Sequence, residues 1–287
     1  MTLPPVEQLD DVTTRVLAPN PSPMTLEGTN TYLLGVAGSG EVLVVDPGPD
    51  LLEHRRAVDG AVAARDAQVV AVVVTHHHAD HAEAAGWAAQ WGAPLHCFTP
   101  SLVVGVGVPD VSAAPAEVLR DGARLARAGL TLEALHTPGH ASDHLCLRVL
   151  DTDAVLTGDH VLGRGTTVVA WPDGNMTDYI ASLRRLGELP ATALHPGHGP
   201  VLDDPAATVR AYLEHRAERE RQVIDALNAG DRTPAEVVTR VYADVDPALH
   251  PAAERSVRAC LGKLEGEGRV SRSIAPDAPA GEERYGV

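Results

Sequence analysis

The sequence predicts an α/β protein built as an αββα sandwich, in which helices cover two β-sheets, followed by a small helical domain. Short β-branched runs such as residues 69–74 alternate with amphipathic segments such as residues 51–65. This alternation is typical of buried strands that helices cover. Beyond residue 203 the strands give way to charged helical segments interrupted by proline. We therefore predict one domain at residues 1–203 and a second at residues 204–287.

Strands are expected at residues 42–45, 69–74 and 94–98, with helices at residues 51–65 and 82–91 between them. In these helices the apolar positions recur at helical spacing, which indicates one face packed on a sheet. In these strands a continuous apolar run indicates burial.

The second sheet is expected from residues 130–135, which alternate between apolar and polar side chains, and from residues 145–150. Residues 99–129 show no clear pattern, and residues 176–189 are expected to be helical. Because strands alternate along the chain with loops that carry candidate functional residues, these residues are expected at one rim of the sandwich.

The composition limits the class of protein. The chain has 287 residues, of which 44% are hydrophobic and 22% charged, as in an ordinary globular protein. It contains no run of about 18 apolar residues, so no transmembrane helix is expected, and its N-terminus does not resemble a secretory signal. The three cysteines are far apart in sequence, which favours buried thiols in a reducing cytoplasm.

The net charge of −16 bears on the partners of the protein. Nonspecific binding to nucleic acid depends on the neutralisation of phosphates by lysine and arginine. We therefore expect no stable complex with DNA, although a locally cationic pocket is compatible with this charge.

The residues with the strongest chemical signal form the segment Thr-His-His-His-Ala-Asp-His at positions 75–81, directly after a predicted strand. His76, His78, Asp80 and His81 offer nitrogen and oxygen ligands of the kind that zinc prefers. A histidine cluster can also be a pH-sensitive surface patch. Further residues of ligand type recur downstream, each beside a glycine that lets the backbone turn: His140, Asp159 and His198. The pattern therefore favours a metal site.

In their order and residue types, these positions resemble the metal ligands of the metallo-β-lactamase superfamily, and Asp46 in Val-Val-Asp-Pro-Gly resembles that superfamily's first motif. The resemblance implies two zinc ions per chain. One ion would be held by His76, His78 and His140, the other by Asp80, His81 and His198, with Asp159 bridging them. The presence of both Asp80 and His81 is typical of the two-metal hydrolases and disfavours antibiotic hydrolysis.

Three segments narrow the resemblance to the β-lactamase-like protein 2 family: residues 25–32, residues 158–167 and the helical segment from residue 212 onward. The studied member of that family is an endoribonuclease that acts on single-stranded RNA. The resemblance implies that a hydroxide shared by two zinc ions, oriented by the catalytic residues Asp80 and Asp159, attacks a phosphodiester or an ester carbonyl.

Two alternatives to RNA cleavage stay open. Proteins of related fold include thioesterases such as hydroxyacylglutathione hydrolase and polyketide-releasing enzymes, so the substrate can also be a small-molecule thioester. A non-enzymatic binding module stabilised by metal is a third interpretation. The complete ligand set argues against it.

Four further residues are candidates for catalysis or for substrate binding. Asn30 and Thr31 end a proline-rich loop that is either a stiff surface segment or a wall of the pocket. Arg164, between two glycines, is either an anchor for an anionic substrate or a surface arginine. His144 is either a catalytic residue that assists the leaving group or, as we favour, a structural hydrogen-bonding residue.

The C-terminal residues resemble a degenerate winged-helix domain. A helix is expected from residue 205 to residue 227, a capping box with proline at residues 233–236, a third helix after Pro247 or Pro251, and a wing strand at residues 268–272. Acidic and basic side chains balance on the third helix, so independent recognition of DNA is not expected. The tail after Ala275 is expected to be mobile.

Overall fold

The computed structural model describes residues 3–104, 116–274 and 283–287. The chain divides into two compact units. The first comprises Met1–Thr137, Asp143–Thr166 and Pro190–Pro205, and the second Pro138–Ser142, Thr167–Leu189 and Ala206–Val287. Two segments from the first predicted domain thus group with the C-terminal helices. The boundary after residue 203 stays a prediction.

The first unit contains a sheet of seven strands that lie side by side in chain order. Pairing is antiparallel from the first strand to the fourth and parallel from the fourth to the seventh. The strands are β1 (Val6–Gln8), β2 (Thr13–Leu17), β3 (Asn30–Leu34), β4 (Glu41–Val45), β5 (Gln68–Val73), β6 (Leu95–Cys97) and β7 (Ala116–Val118). The strands predicted at residues 42–45, 69–74 and 94–98 are confirmed.

Four short or medium helices accompany this sheet: α1 (Leu52–Ala64), α2 (Ala79–Ala82), α3 (Trp87–Trp91) and α4 (Pro100–Val104). The prediction of one continuous helix at residues 82–91 is wrong, because a 3₁₀ segment at Glu83–Gly86 separates α2 from α3. Gly86 lies at that junction, and glycine is a poor helix former. Helix α1 packs through Val58 and Val62 onto the outer face of the sheet.

A second sheet of five strands completes the first unit, in the order β12, β11, β10, β9, β8. Its strands are β8 (Arg124–Arg127), β9 (Leu130–His136), β10 (Leu145–Val149), β11 (Val155–Gly158) and β12 (Leu194–Pro196). Strand β8 had no clear sequence pattern because only Leu125 in it is buried. A tight turn at Ala128 and Gly129, both with positive φ, joins it to β9.

The main core lies between the two sheets and consists of alternate side chains of their facing strands. Leu43 and Val45 of β4 point to this core, whereas Val42 and Val44 belong to the cluster on the helix-covered face. This two-residue period is the expected result of strand geometry. The candidate site residues follow the carboxyl ends of β4, β5, β11 and β12.

The second unit contains α5 (Met176–Gly187), α6 (Pro205–Asn228), α7 (Pro234–Val241), α8 (His250–Gly266) and the antiparallel pair β13 (Ser271–Ile274) and β14 (Glu283–Gly286). The last turns of α6 share an apolar core with α7 and α8. The predicted capping box is confirmed, since Thr233 and Glu236 bond each other's backbone N–H.

The expected mobility of the C-terminal tail is wrong for its last part, because β14 pairs with β13 in regular register. Residues 275–282 lie outside the described residues. Across the three described ranges, no helix has both the length and the apolar character that crossing a bilayer requires.

The buried imidazole of His54 on α1 makes folding depend on pH. Its Nε2 lies 2.8 Å from Thr31 Oγ1, and its side chain is fully buried. Burial lowers the pKa of His54 to about 4, whereas the unfolded imidazole titrates near its usual value of about 6.5. As pH falls, the imidazole of the unfolded chain is protonated before that of the folded chain. The free energy of unfolding therefore decreases as pH falls from about 6.5 towards 4.

We expect the wild type to lose about 2 kcal/mol more unfolding free energy between pH 7 and pH 4.5 than the His54→Gln variant. Urea unfolding at the two pH values measures this difference. An equal pH dependence of the unfolding free energy in both proteins would contradict the lowered pKa of His54 in the folded state.

Candidate metal centre

Four side chains of the first unit bring their ligand atoms into a compact cage. The Nε2 atoms of His81 and His198 lie 3.3 Å apart. Asp159 Oδ1 lies 3.3 Å from the first and 3.4 Å from the second, and Asp80 Oδ2 lies 3.7 Å and 3.1 Å from them. A tetrahedral zinc site with bonds of 2.0–2.1 Å has ligand–ligand edges of about 3.3 Å. The distances between the ligand atoms of the cage are therefore those that a tetrahedral zinc ion requires.

A second group of ligand atoms shares Asp159. His76 Nε2 and His78 Nδ1 lie 3.0 Å apart, and these two side chains and Asp159 offer ligand atoms within 4.8 Å of one another. Asp159 Oδ1 is the atom that lies 3.3 Å and 3.4 Å from the Nε2 atoms of His81 and His198. The carboxylate of Asp159 therefore belongs to both groups of candidate ligands.

Asp46 orients the ring of His81 from behind the cage. Its Oδ2 accepts a hydrogen bond from His81 Nδ1 at 2.8 Å. The proton is thereby on Nδ1, and Nε2 presents its lone pair to the cage. Asp46 has a φ of +49°, which is uncommon for a residue with a side chain. Thr75 holds it there, since its backbone N and Oγ1 donate to the two carboxylate oxygens at 2.7 Å and 2.8 Å.

Other ligands are oriented in the same way. Because Thr75 Oγ1 donates to Asp46, it accepts from His76 Nδ1 at 3.0 Å, which leaves Nε2 of His76 for a metal. His198 Nδ1 donates to Gly28 O at 3.1 Å. Sequence reasoning missed both supports. Thr75 had a signal, since it directly precedes the histidine motif, whereas the contact of Gly28 depends on tertiary structure alone.

The electrostatics of the cage call for positive charge. Burial lowers the pKa of His198, but Asp159 and Asp80 outweigh burial and raise it to about 9. Burial also lowers the pKa of His81. The same two carboxylates outweigh burial and raise this pKa well above its usual value. For Asp80, burial raises the pKa, but His81 and His198 lower it to about 2. In a site held by these side chains, a divalent cation would take the place of the imidazole protons.

The predicted ligand His140 belongs to the second unit. Its Nδ1 donates to Val168 O at 2.7 Å, so its Nε2 is the unprotonated nitrogen available to a metal. Gly139 has a φ of +134°, and a Cβ there would lie 2.3 Å from Tyr179 Cα. The glycine that marked this ligand in the sequence is therefore required by close packing.

His144 lies behind Asp159 and is fully buried. Its Nε2 accepts from the backbone N of Asp159 at 3.2 Å, and its Nδ1 lies 2.9 Å from Thr137 Oγ1. These contacts support the structural role of His144. The assistance of a leaving group stays a prediction.

The candidate substrate residues Asn30 and Thr31 are fully buried. Asn30 Nδ2 donates to Pro196 O and to Gly199 O, each at 2.9 Å. Thr31 Oγ1 donates to Asp46 O at 2.6 Å. Both side chains thus hold loops that carry site residues, and their contact with substrate stays a prediction.

Arg164 is 55% exposed and forms an ion pair of 2.8 Å with Glu27, a partner that the sequence did not indicate. The preceding Gly163 packs so closely that a Cβ there would lie 2.2 Å from Pro200 O. Arg164 therefore follows a segment packed on the loop that carries His198. Its guanidinium keeps donors beyond the one used for Glu27.

Comparison with known proteins places this site in a family. Residues 24–198 match the metallo-beta-lactamase superfamily, and residues 233–276 match the beta-lactamase associated winged helix domain. The chain belongs to the metallo-β-lactamase superfamily. The predicted fold class, with its winged-helix-like C-terminal domain, is confirmed. A superfamily of metal-dependent hydrolases agrees with the His and Asp groups described above.

Relatives extend the similarity over nearly the whole chain. A beta-lactamase-like protein 2 homolog of Caenorhabditis elegans is 35% identical over 275 residues, which cover 93% of this chain and 88% of that protein. A protein of Aspergillus chevalieri named atrochrysone carboxyl ACP thioesterase is 35% identical over 279 residues, with 94% and 86% coverage. The resemblance to β-lactamase-like protein 2 is confirmed.

A solved structure is also similar. The crystal structure of a metallo-beta-lactamase family protein from Thermus thermophilus matches with a TM-score of 0.79 and 25% identity, and the match covers 97% of this chain and 99% of that one. The likeness thus includes the C-terminal helices as well as the sheets.

The orientation of His81 by Asp46 predicts a specific loss of metal. We expect the wild type to bind two zinc ions per chain, and Asp46→Asn to weaken one of them about 10- to 100-fold. Asparagine tolerates the positive φ at this position, but its amide cannot accept the proton of His81 and still satisfy both donors of Thr75. Elemental analysis and competition with a chelator measure the two effects.

Asp143→Asn is the matched control. Asp143 is another buried aspartate, and its Oδ1 lies 2.8 Å from Nδ1 of His77, a histidine of the same motif that is not a predicted ligand. Equal losses of zinc in the two variants would contradict a specific role of Asp46.

Proposed function

We propose that the protein is a dinuclear zinc hydrolase that cleaves an ester-type bond. The observation that carries this proposal is the cage of His81, His198, Asp80 and Asp159, whose edges of 3.1–3.7 Å suit tetrahedral zinc. His76 and His78 form the neighbouring group, and we assign His140 to it as the third imidazole. In this proposal Asp159 would help to hold both ions.

Two divalent ions in these positions would supply an attacking water of lowered pKa and would neutralise the charge that develops on the substrate oxygen. The side chains of the protein would orient the attacking water and hold the ligands in place. Asp80, with a side chain 30% exposed, is the more accessible of the two carboxylates and would orient the attacking water. Asp159, 12% exposed, is held from behind through its backbone by His144.

Single-stranded RNA is the first candidate substrate. Support for it comes from the similarity to β-lactamase-like protein 2 homologs over more than nine-tenths of the chain, together with the endoribonuclease activity that this resemblance implies. The geometry of the cage is compatible with a phosphodiester, since paired metal ions stabilise both the attacking and the leaving oxygen.

The charges of the second unit weigh against a long polyanion. Basic side chains around helix α8 and the β13–β14 hairpin are already paired with carboxylates: Arg258 with Glu254 and Glu283, Lys263 and Arg269 with Glu220 and Glu267, and Arg272 with Glu265 and Glu283. Binding of RNA depends on cations that can neutralise several phosphates. These side chains are poorly placed to do so.

A small thioester is the second candidate, and the charges favour it. It needs a cation for only one anionic group. Arg164 is paired with a single carboxylate, that of Glu27, and keeps further guanidinium donors for such a group. The 35% identity to a protein named as an ACP thioesterase supports this class as well. We therefore place a small-molecule thioester ahead of RNA, although the sequence alone favours RNA.

Direct assays separate the two candidates. We expect the zinc-loaded protein to hydrolyse an acyl-glutathione or acyl-CoA thioester with kcat/KM above about 10⁴ M⁻¹ s⁻¹ and to leave single-stranded RNA intact. Asp159→Ala is expected to lose this activity by about 10³-fold or more. Both substrates are tested at low and at high ionic strength.

RNA cleavage at low ionic strength that declines steeply with salt, with thioesters untouched, would establish the endoribonuclease instead. Activity that survives removal of the metal by a chelator would overturn the two-metal proposal altogether.

The role of Arg164 is tested through KM. We expect Arg164→Ala to raise KM for an anionic thioester about tenfold with little change in kcat, because it removes a binding contact and leaves the ligands in place. Steady-state kinetics at several salt concentrations measures this. Arg124→Ala is the control, since Arg124 is also exposed and paired with a carboxylate, Glu133, but lies on strand β8. The same KM in both variants would show that Arg164 is an ordinary surface arginine.

A further inference from the structure

The loop that carries His140 is held by other segments of the second unit. His140 Nδ1 donates to Val168 O at 2.7 Å, and Asn175 N donates to Gly139 O at 2.8 Å. Gly139 also packs against the backbone of Tyr179, where a Cβ on the glycine would be 2.3 Å from Cα. The direction of the His140 ring therefore depends on the positions of Val168 and of helix α5.

One buried side chain of helix α6 contacts both of these supports. Arg216 donates from a terminal nitrogen to Thr167 O at 2.5 Å, one residue before Val168. Its guanidinium carbon lies 4.9 Å from the centre of the Tyr179 ring, whose backbone abuts Gly139. Arg216 thus lies beneath the two segments that orient His140.

Stability alone does not account for this arginine. Arg216 is only 7% exposed, and its Nε is buried without an acceptor. Its charge is balanced by no carboxylate ion pair within the described ranges, only by a carbonyl and an aromatic face. Burial of a cation without a carboxylate partner costs several kcal/mol, so a large apolar side chain would serve packing better.

We propose that Arg216 is a positioning residue for the metal ligand His140. It holds Thr167 and Tyr179, these hold Val168 and Gly139, and the ring of His140 is thereby fixed with Nε2 directed for metal binding. Side chains that orient a ligand from behind in this way raise metal affinity. The inference rests on the proposed role of His140 as a ligand. It makes helix α6, outside the matched superfamily segment, a requirement for a complete metal centre.

Helix α6 also offers a closely matched control in Arg219. Its guanidinium carbon lies 4.7 Å from the Tyr242 ring, and its Nη1 lies 3.4 Å from Val241 O. Both arginines thus place a cation over a tyrosine ring and bond a backbone carbonyl. Arg219 also donates to Gln222 Oε1 of α6 at 2.8 Å. None of its contacts is with the segments that hold His140.

The test measures zinc affinity in the full-length Arg216→Met, Arg216→Lys and Arg219→Met variants. We expect Arg216→Met to weaken one of two zinc ions about 10- to 100-fold, and Arg219→Met to stay within about twofold of the wild type. Arg216→Lys, which keeps a cation and a donor, is expected to recover part of the affinity. Chelator competition gives the affinities, and cobalt substitution reports the ligand geometry by its visible absorption.

Thermal unfolding of the metal-free variants separates positioning from a loss of fold. If Arg216→Met is too unstable to load, the comparison of Arg216→Lys with Arg219→Met decides instead. Equal zinc affinity in the Arg216 variant and in Arg219→Met would overturn the proposal. So would a wild-type cobalt spectrum in the same Arg216 variant.

The His140→Ala variant distinguishes the positioning role of Arg216 from the assignment of His140 as a ligand, on which that role rests. We expect it to weaken the same ion, and Arg216→Met to add nothing further in that background. Normal zinc affinity in His140→Ala would overturn the ligand assignment together with the positioning. A loss in His140→Ala combined with wild-type affinity in Arg216→Met would overturn only the positioning.

Discussion

Every part of the site depends on the need to keep several charged and ionisable groups close together in a mostly buried place. In the cage, two imidazoles and two carboxylates approach within 3.1–3.7 Å. Such an arrangement is unfavourable unless proton or metal charge is shared among them, as the raised pKa of His198 and the lowered pKa of Asp80 indicate. The fold must therefore supply rigid supports behind each ligand. The candidate ligands His81, His198 and His140 donate hydrogen bonds to Asp46, to Gly28 O and to Val168 O, and these acceptors are the supports.

Close backbone approach is the second requirement of the site. A Cβ at Gly158 would lie 2.7 Å from His144 Nε2, and a Cβ at Gly197 would lie 2.6 Å from His81 Cε1. The glycines beside Asp159 and His198 therefore do more than permit a turn. They let their loops pack directly against the rings of other site residues, which brings candidate ligands from distant parts of the chain close together.

His140, the proposed third imidazole of the neighbouring group, belongs to the second unit. Its loop belongs with α5, α6 and residues 167–189, and it is bound there by side chains and backbone groups of the C-terminal half of the chain. In this view the C-terminal helices support chemistry instead of binding nucleic acid. The ion pairs of Arg258 and Lys263 agree, because they leave little uncompensated positive charge for a phosphate backbone.

The sequence by itself determined the family, most helices and several of the strands, and it predicted the candidate ligands. These depend on local patterns: alternation in a strand, helical spacing, and ligands beside glycine after a strand. It did not reveal β8, since an edge strand with one buried side chain has little pattern. It also did not show that Asn30 and Thr31 face inward or that Glu27 pairs with Arg164.

Tertiary structure decided the contacts that join residues far apart in the chain. Gly28 with His198, Asp46 with His81, and Arg216 with Thr167 are separated by dozens of residues or more. The buried carbonyls at Gly28 and Thr167 have no side-chain signal that a sequence can show. Their direction is set by how the loops pack, so the supports behind the candidate metal ligands are visible only in the folded chain.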